Sequence, residues 1–243
     1  MTHPPPDRAA LERLNARIAS CELCPRLRSH CREVARVKRR AFREEDYWGR
    51  PVPSFGDPGA SLLIVGLAPA GDGGNRTGRF FTGDSSGDWL YAALHRFGFA
   101  NQPTSVARGD GLEMTDAWIT AVAHCAPPDN KPTLQEQAAC RPFLVEELNR
   151  LGNVAVIVAL GRIAFDGLFR ARGEMGFEAP RPRPVFGHGA EAVVDFRRPV
   201  RVISSFHPSR QNTNTGRLTR AMFDRPFRRA RAILDSRGTD RAG

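Results

Sequence analysis

Lysine is almost missing from this 243-residue chain: Lys38 and Lys131 are its two, among 36 basic residues. Tyrosine occurs twice, tryptophan three times and methionine four times. Nowhere do eighteen apolar residues run together, so no membrane-spanning helix is expected. The opening MTHPPPDRAA has no basic stretch leading into an apolar one, which argues against a secretory leader. The Gly-rich stretch 66–90 contains neither G-x-G-x-x-G nor G-K-[ST], so it is neither a dinucleotide fingerprint nor a P-loop. These absences together predict a cytoplasmic protein. In that reducing setting the five cysteines point to metal or redox chemistry rather than to disulfides.

What is abundant is arginine. Lys plus Arg outnumber Asp plus Glu by 36 to 26, a net charge of +10. Such a surplus favours a polyanionic partner, because neutralising phosphates releases counterions; a general arginine bias of the composition is the bland alternative. An apolar share of 41% and a charged share of 26% are those of an ordinary folded protein. Length and composition together fit one domain over 1–243, with an N-terminal flap at about 15–50 and a frayed tail at about 236–243.

Four runs, SLLIVGLAP (61–69), DAWITAVAHC (116–125), VAVIVALG (154–161) and VRVISSFHP (200–208), are too continuously apolar to have one wet face. They read as parallel strands covered on both sides. Helical stretches fall between and after them at about 84–97, 134–151, 162–170 and 218–235. The alternation predicts a three-layer α/β/α sandwich with a parallel four-stranded sheet, its site on the edge where the strands end. The segment 171–199 reads as a long connection with a hairpin around VFGHGAEAVVDF.

Cys21 and Cys24 form a C-x2-C knuckle, and fourteen residues separate Cys125 from Cys140. Four thiolates in two such segments suit tetrahedral zinc or an iron-sulfur cluster, and spacing alone does not choose between them. Buried free thiols are the ordinary alternative. Cys31, seven residues past Cys24 on a helical stretch, reads as a packing thiol.

Three motifs complete the pattern: GLAPAGDGGNRTGRFFTGD after the first strand, HCAPPDNKP after the second, and HPSRQNTNTGRLT after the fourth. With the CELC knuckle ahead of them, they resemble the family 5 (type b) uracil-DNA glycosylases over about residues 15–235. The resemblance implies a uracil-DNA glycosylase-like fold and a 4Fe-4S cluster on Cys21, Cys24, Cys125 and Cys140. It also implies DNA carrying uracil or other damaged bases as partner, and hydrolysis of the N-glycosidic bond. A monomer associated with the nucleoid is expected, and no lysine is placed for the Schiff base that strand cleavage needs. From another class, a noncatalytic iron-sulfur or zinc nucleic-acid-binding protein on the same scaffold is the competing reading.

The resemblance also assigns roles. Phe81 matches the aromatic that lies on the everted base, against the plain alternative of packing under the sheet edge. Asp84 matches an aspartate implicated in water activation, although GDSSGDWL also makes it a helix N-cap; Asp72 is the second acid in reach. His207 matches the histidine that bonds the leaving uracil. Gly66, Ala68, Asn75, Ser209 and Asn212 are expected against the nucleotide, the glycines admitting it close to the backbone. Arg210 or Gln211 is a candidate wedge into the vacated stack, and Asn130 reads as a turn former. Two departures stand out. Leu67 sits where the sister iron-sulfur family has an acid, and Ala121 where uracil-strict relatives have the asparagine that reads the pairing edge. Losing that amide predicts broader selectivity, with hydroxymethyluracil, hypoxanthine, xanthine or ethenocytosine as further substrates.

Overall fold

A computed structural model describes residues 7–239. Its strands are, in chain order, β1 (Phe55–Gly56), β2 (Leu62–Gly66), β3 (Ala117–Ala121), β4 (Val156–Leu160), β5 (Glu191–Asp195) and β6 (Pro199–Ser205). They form one sheet in the order β1-β3-β2-β4-β6-β5. The inner four strands run parallel, as the apolar runs require, and β2, β3 and β4 are buried along their whole length. The sheet is wider than the four strands expected. Two residues of β1 pair antiparallel with β3, and β5 closes the other edge as an antiparallel hairpin with β6. Neither addition carries the long apolar run of a central strand: β1 is too short, and β5 alternates exposed and covered positions.

The helices are α1 (Arg8–Ala19), α2 (Pro25–Val37), α3 (Gly74–Thr77), α4 (Ser85–Arg96), α5 (Leu134–Arg150), α6 (Arg162–Glu174), α7 (Arg210–Asn214) and α8 (Arg220–Thr239). Side chains alternate across the pleat, so each central strand feeds two cores. Leu62, Ile64, Ile119, Val156 and Val158 pack with Leu90 and Leu94 of α4 and Phe223 and Phe227 of α8. Leu63, Val65, Trp118 and Ile157 pack on the opposite face with Leu11 and Leu14 of α1, Leu144 of α5 and Leu168 of α6. Helices on both faces make the three layers.

Two boundaries move. The N-terminal segment is more than a flap, because α1 starts before residue 15 and buries Leu11, Leu14 and Ile18 in the second core. The tail expected to fray from Ser236 continues as α8 to Thr239, and the last four residues of that expectation lie outside the described residues. Among the described residues no helix is long and apolar enough to cross a membrane.

Candidate active site and cysteine pocket

The C-terminal ends of β2, β3, β4 and β6 place Gly66, Ala121, Leu160 and Ser205 along one edge, and Gly66 pairs directly with Ala121. Phe81 lies against Gly66. A Cβ on Gly66 would stand 3.1 Å from Phe81 Cζ, a tight contact, so the glycine lets the ring sit close to the strand end. Phe81 itself has φ +53°, a conformation rare for a bulky residue and common where a side chain is held for function. Its neighbours impose it. Tyr91 Oη donates to the Phe80 carbonyl at 2.8 Å, anchoring Phe80 in the core. Gly87, in the first turn of α4, abuts the Phe81 carbonyl so closely that any Cβ there would collide with it.

Beside the nucleotide expected near them, the glycines have an internal use. Gly66 makes room for Phe81, Gly73 for the Asp84 carboxylate and Gly83 for Arg76. Their absent side chains let the loop close on its own functional groups. Arg79, which sequence reasoning missed, braces the loop from behind: it pairs with Asp110 at 2.7 Å and bonds Thr82 and Ser105. Asp110 carries its charge firmly, its pKa pushed down to about 2 by Arg79 and three backbone N–H groups against the cost of burial. No local motif announces a pair 31 residues apart.

His207 follows β6. Its ring faces Phe81, with centroids 5.9 Å apart and planes inclined by 30°. Burial pushes its pKa down to about 4, so the imidazole is neutral at neutral pH. The ring accepts and donates no hydrogen bond among the described residues. The turn beyond it is built locally: Asn212 Nδ2 donates to the His207 carbonyl at 2.8 Å, and Ser209 caps α7 by accepting from the Asn212 N–H. Ser209 and Asn212 thus shape the His207 turn while staying half-exposed at the edge.

Asp84 occupies the N-cap of α4, where Oδ1 accepts from Ser86 N–H at 2.9 Å and Gly87 N–H at 3.0 Å. Oδ2 accepts nothing among the described residues. Burial raises the pKa of this carboxyl. Capping and a carboxylate oxygen without a hydrogen-bond donor therefore coexist, a combination that the sequence reading allowed. Arg210 Nε reaches Ser85 Oγ at 3.4 Å and draws α7 toward the start of α4. Asp72 is engaged elsewhere, accepting from Tyr47 Oη at 3.2 Å.

Asn75 does not belong to a substrate surface. It is fully buried, and its Nδ2 donates to the Cys31 carbonyl at 3.2 Å, tying the glycine-rich loop to α2. Ala68 is half-buried on the strand-edge loop, and Ala121 is buried with only a methyl to offer. Asn130 has φ +55° in an exposed turn, as its turn-former reading expects.

Cys21, Cys24, Cys125 and Cys140 all line a single pocket, closed otherwise mainly by Leu23, Leu27, Pro51 and Phe143. Burial pushes the Cys140 thiol up to about 12, with Cys21 and Cys24 adding to the rise, and burial followed by Cys21 raises Cys24. The backbone N–H of His124 donates to Cys140 Sγ at 3.4 Å. Cys31 is buried and donates to the Ala126 carbonyl, in keeping with a packing thiol. Among the described residues no three His, Cys, Asp or Glu donors are gathered as a single metal ion would need. Four thiols converging from three segments are a donor set that suits zinc or an iron-sulfur cluster alike.

Residues 53–231 match the model of the uracil DNA glycosylase superfamily. The chain is 49% identical over 225 residues to the type-5 uracil-DNA glycosylase of Mycobacterium leprae, covering 92% of this chain and 96% of the relative. It is 48% identical over 206 residues to the type-5 uracil-DNA glycosylase of Thermus thermophilus, with 85% and 90% covered. A type-4 uracil-DNA glycosylase of Pyrobaculum aerophilum is 31% identical over 164 residues, with 67% and 66% covered.

Proposed function

The chain belongs to the uracil-DNA glycosylase superfamily, and from that premise we propose that it removes uracil from DNA by hydrolysing the N-glycosidic bond. The observation that carries this reading is Phe81 seated against Gly66 at the strand edge with the neutral His207 ring facing it. A base inside a duplex is out of reach, so the nucleotide swings out at a cost of a few kcal/mol of unstacking. The everted base lies on Phe81. As the bond from C1′ to the base breaks, the electron pair leaves with uracil and the sugar becomes cationic. His207 donates an N–H to the base oxygen that gains negative charge, and Asp84 orients water toward C1′ and offsets the positive sugar. The water oxygen bonds to C1′, its proton is released, and an abasic site remains.

Selectivity in this reading rests on shape more than on hydrogen bonds. Ala121 presents no amide that a wrong base would leave unpaired, so other deaminated or modified bases enter as well. The cysteine pocket suits a 4Fe-4S cluster held by Cys21, Cys24, Cys125 and Cys140, and such a group supplies a cross-link between the start of α2, the loop after β3 and α5. The protein acts in the compartment that holds the chromosome, and its arginine surplus holds the phosphates.

The test is an oligonucleotide with one uracil, incubated with the protein and then treated with alkali. Strand breakage only after alkali supports the proposal. Full-length DNA after alkali overturns it in favour of a protein that binds without catalysis.

A further inference from the structure

His207 has a second side. Behind it, a cavity of about 290 Å³ opens between the start of α6 and the turn after β6. Its walls include Leu67, Leu160, Phe186, Phe206 and Asn212, with Arg162 and Arg217 at the rim, and His207 lines it while its ring also faces Phe81. The two phenyl rings stand 6.2 Å apart, each partly open to the cavity. The Arg162 guanidinium lies 5.8 Å from the Phe186 ring centre and that of Arg217 lies 4.8 Å from the Phe206 ring centre. Gly161, at φ +98°, brings the chain past His207 Cβ and starts α6 without a side-chain cap.

We propose that this cavity seats a second nucleobase, that of the nucleotide next to the everted one in the same strand. The inference rests on the glycosylase reading and adds to it a neighbour subsite. Three features commit the cavity to that occupant. Its walls are mostly apolar and aromatic, as a planar base needs for stacking. Its volume lies at the low end of the roughly 300 to 1,000 Å³ typical of ligand pockets, enough for one base and too little for a folded peptide segment. Its rim carries two guanidinium groups, which match the phosphates on either side of that base. Arg217 takes part in no ion pair among the described residues, and the partner of Arg162 is the half-buried Asp166 at 3.3 Å, with the Arg162 side chain itself exposed, so both have charge to offer. Because His207 lines this cavity and also faces Phe81, filling it presses the imidazole toward the base on Phe81.

The experiment uses single-stranded oligonucleotides in which the base 5′ or 3′ to the uracil is present or replaced by an abasic analogue. Single-turnover excision is measured for the wild-type protein, Phe186→Leu and Arg217→Ala. We expect the wild type to work at least fivefold faster when the base is present on one of the two sides, the lower bound for a stacked base. Phe186→Leu should lose that difference while matching the wild-type rate on the oligonucleotide lacking the neighbour. Arg217→Ala should reduce the difference in the same sense. Equal wild-type rates on all substrates would overturn the inference, as would a neighbour effect that survives intact in both variants. No excision by the wild type on any of them would defeat the glycosylase reading itself, a distinguishable result.

Discussion

Phe81 and His207 face each other across 5.9 Å, two rings from loops that lie 126 residues apart in the chain. A base inserted squarely between them would need roughly 7 Å, twice an optimal carbon contact. In the proposed reaction the base would therefore rest on Phe81 and meet His207 along its edge, which is where a hydrogen-bond donor is useful. Replacing Phe81 with leucine keeps the apolar volume and removes the flat face. Single-turnover excision of uracil should fall about five- to hundredfold, the range of one lost stack. A rate within twofold of wild type would return Phe81 to a packing role.

Asp84 offers one oxygen to the helix and keeps the other, so its two roles separate by substitution. Asp84→Asn retains a good N-cap and should leave the melting temperature unchanged while slowing excision at least tenfold. Asp84→Ala should slow excision equally and also cost about 1 kcal/mol of stability. Burial raises the Asp84 pKa, so wild-type excision should decline on the acid side above the pH of an ordinary aspartate, and this acid limb should vanish in Asp84→Asn. Unaltered kinetics in Asp84→Asn would pass the role to Asp72.

The four cysteines sharing one pocket make a prediction that the fifth does not. Purified wild-type protein should carry iron and sulfide in equal amounts and absorb visible light. Cys24→Ser should lose both and melt at lower temperature, because α2, the loop after β3 and α5 are no longer tied. Cys31→Ser should keep its iron and colour. Zinc without sulfide in the wild type would replace the cluster with a single-ion site.

Legibility in the sequence followed the physical range of each interaction. The four central strands announced themselves because both their faces are covered, and α4 announced itself because Asp84 caps it locally. Phe81, Asp84 and His207 were singled out by motif resemblance, and the structure brings the two rings together and sets Asp84 at the N-cap of α4. Asn75 was misplaced because its motif position says nothing of burial; its amide faces α2, a contact across 44 residues. The Arg79–Asp110 brace, the edge strand β1 and the cavity behind His207 arise from tertiary packing alone. Phe206 was next to a recognised histidine, yet only the fold shows that it lines a cavity with Phe186.

Glu147 is fully buried and takes no part in the proposed chemistry. It sits on α5 facing the sheet, where Oε1 accepts from Trp118 Nε1 at 3.1 Å and Oε2 from Thr120 Oγ1 at 2.5 Å. Burial outweighs these donors and lifts its pKa from 4.5 to about 7. The folded chain then holds a proton that the unfolded chain has released between those two values. Stability from this group is full below about pH 4.5, falls as pH rises toward 7, and stays reduced above it, a swing on the order of 3 kcal/mol. Glu147→Gln keeps the shape, cannot ionise, and lets its amide donate to Thr120. Urea unfolding of the two proteins from pH 4.5 to 8 should give a stability difference that grows in favour of the glutamine variant up to about pH 7 and then levels. A difference independent of pH would mean that Glu147 is ionised in the folded core throughout, held by its two donors against the cost of burial.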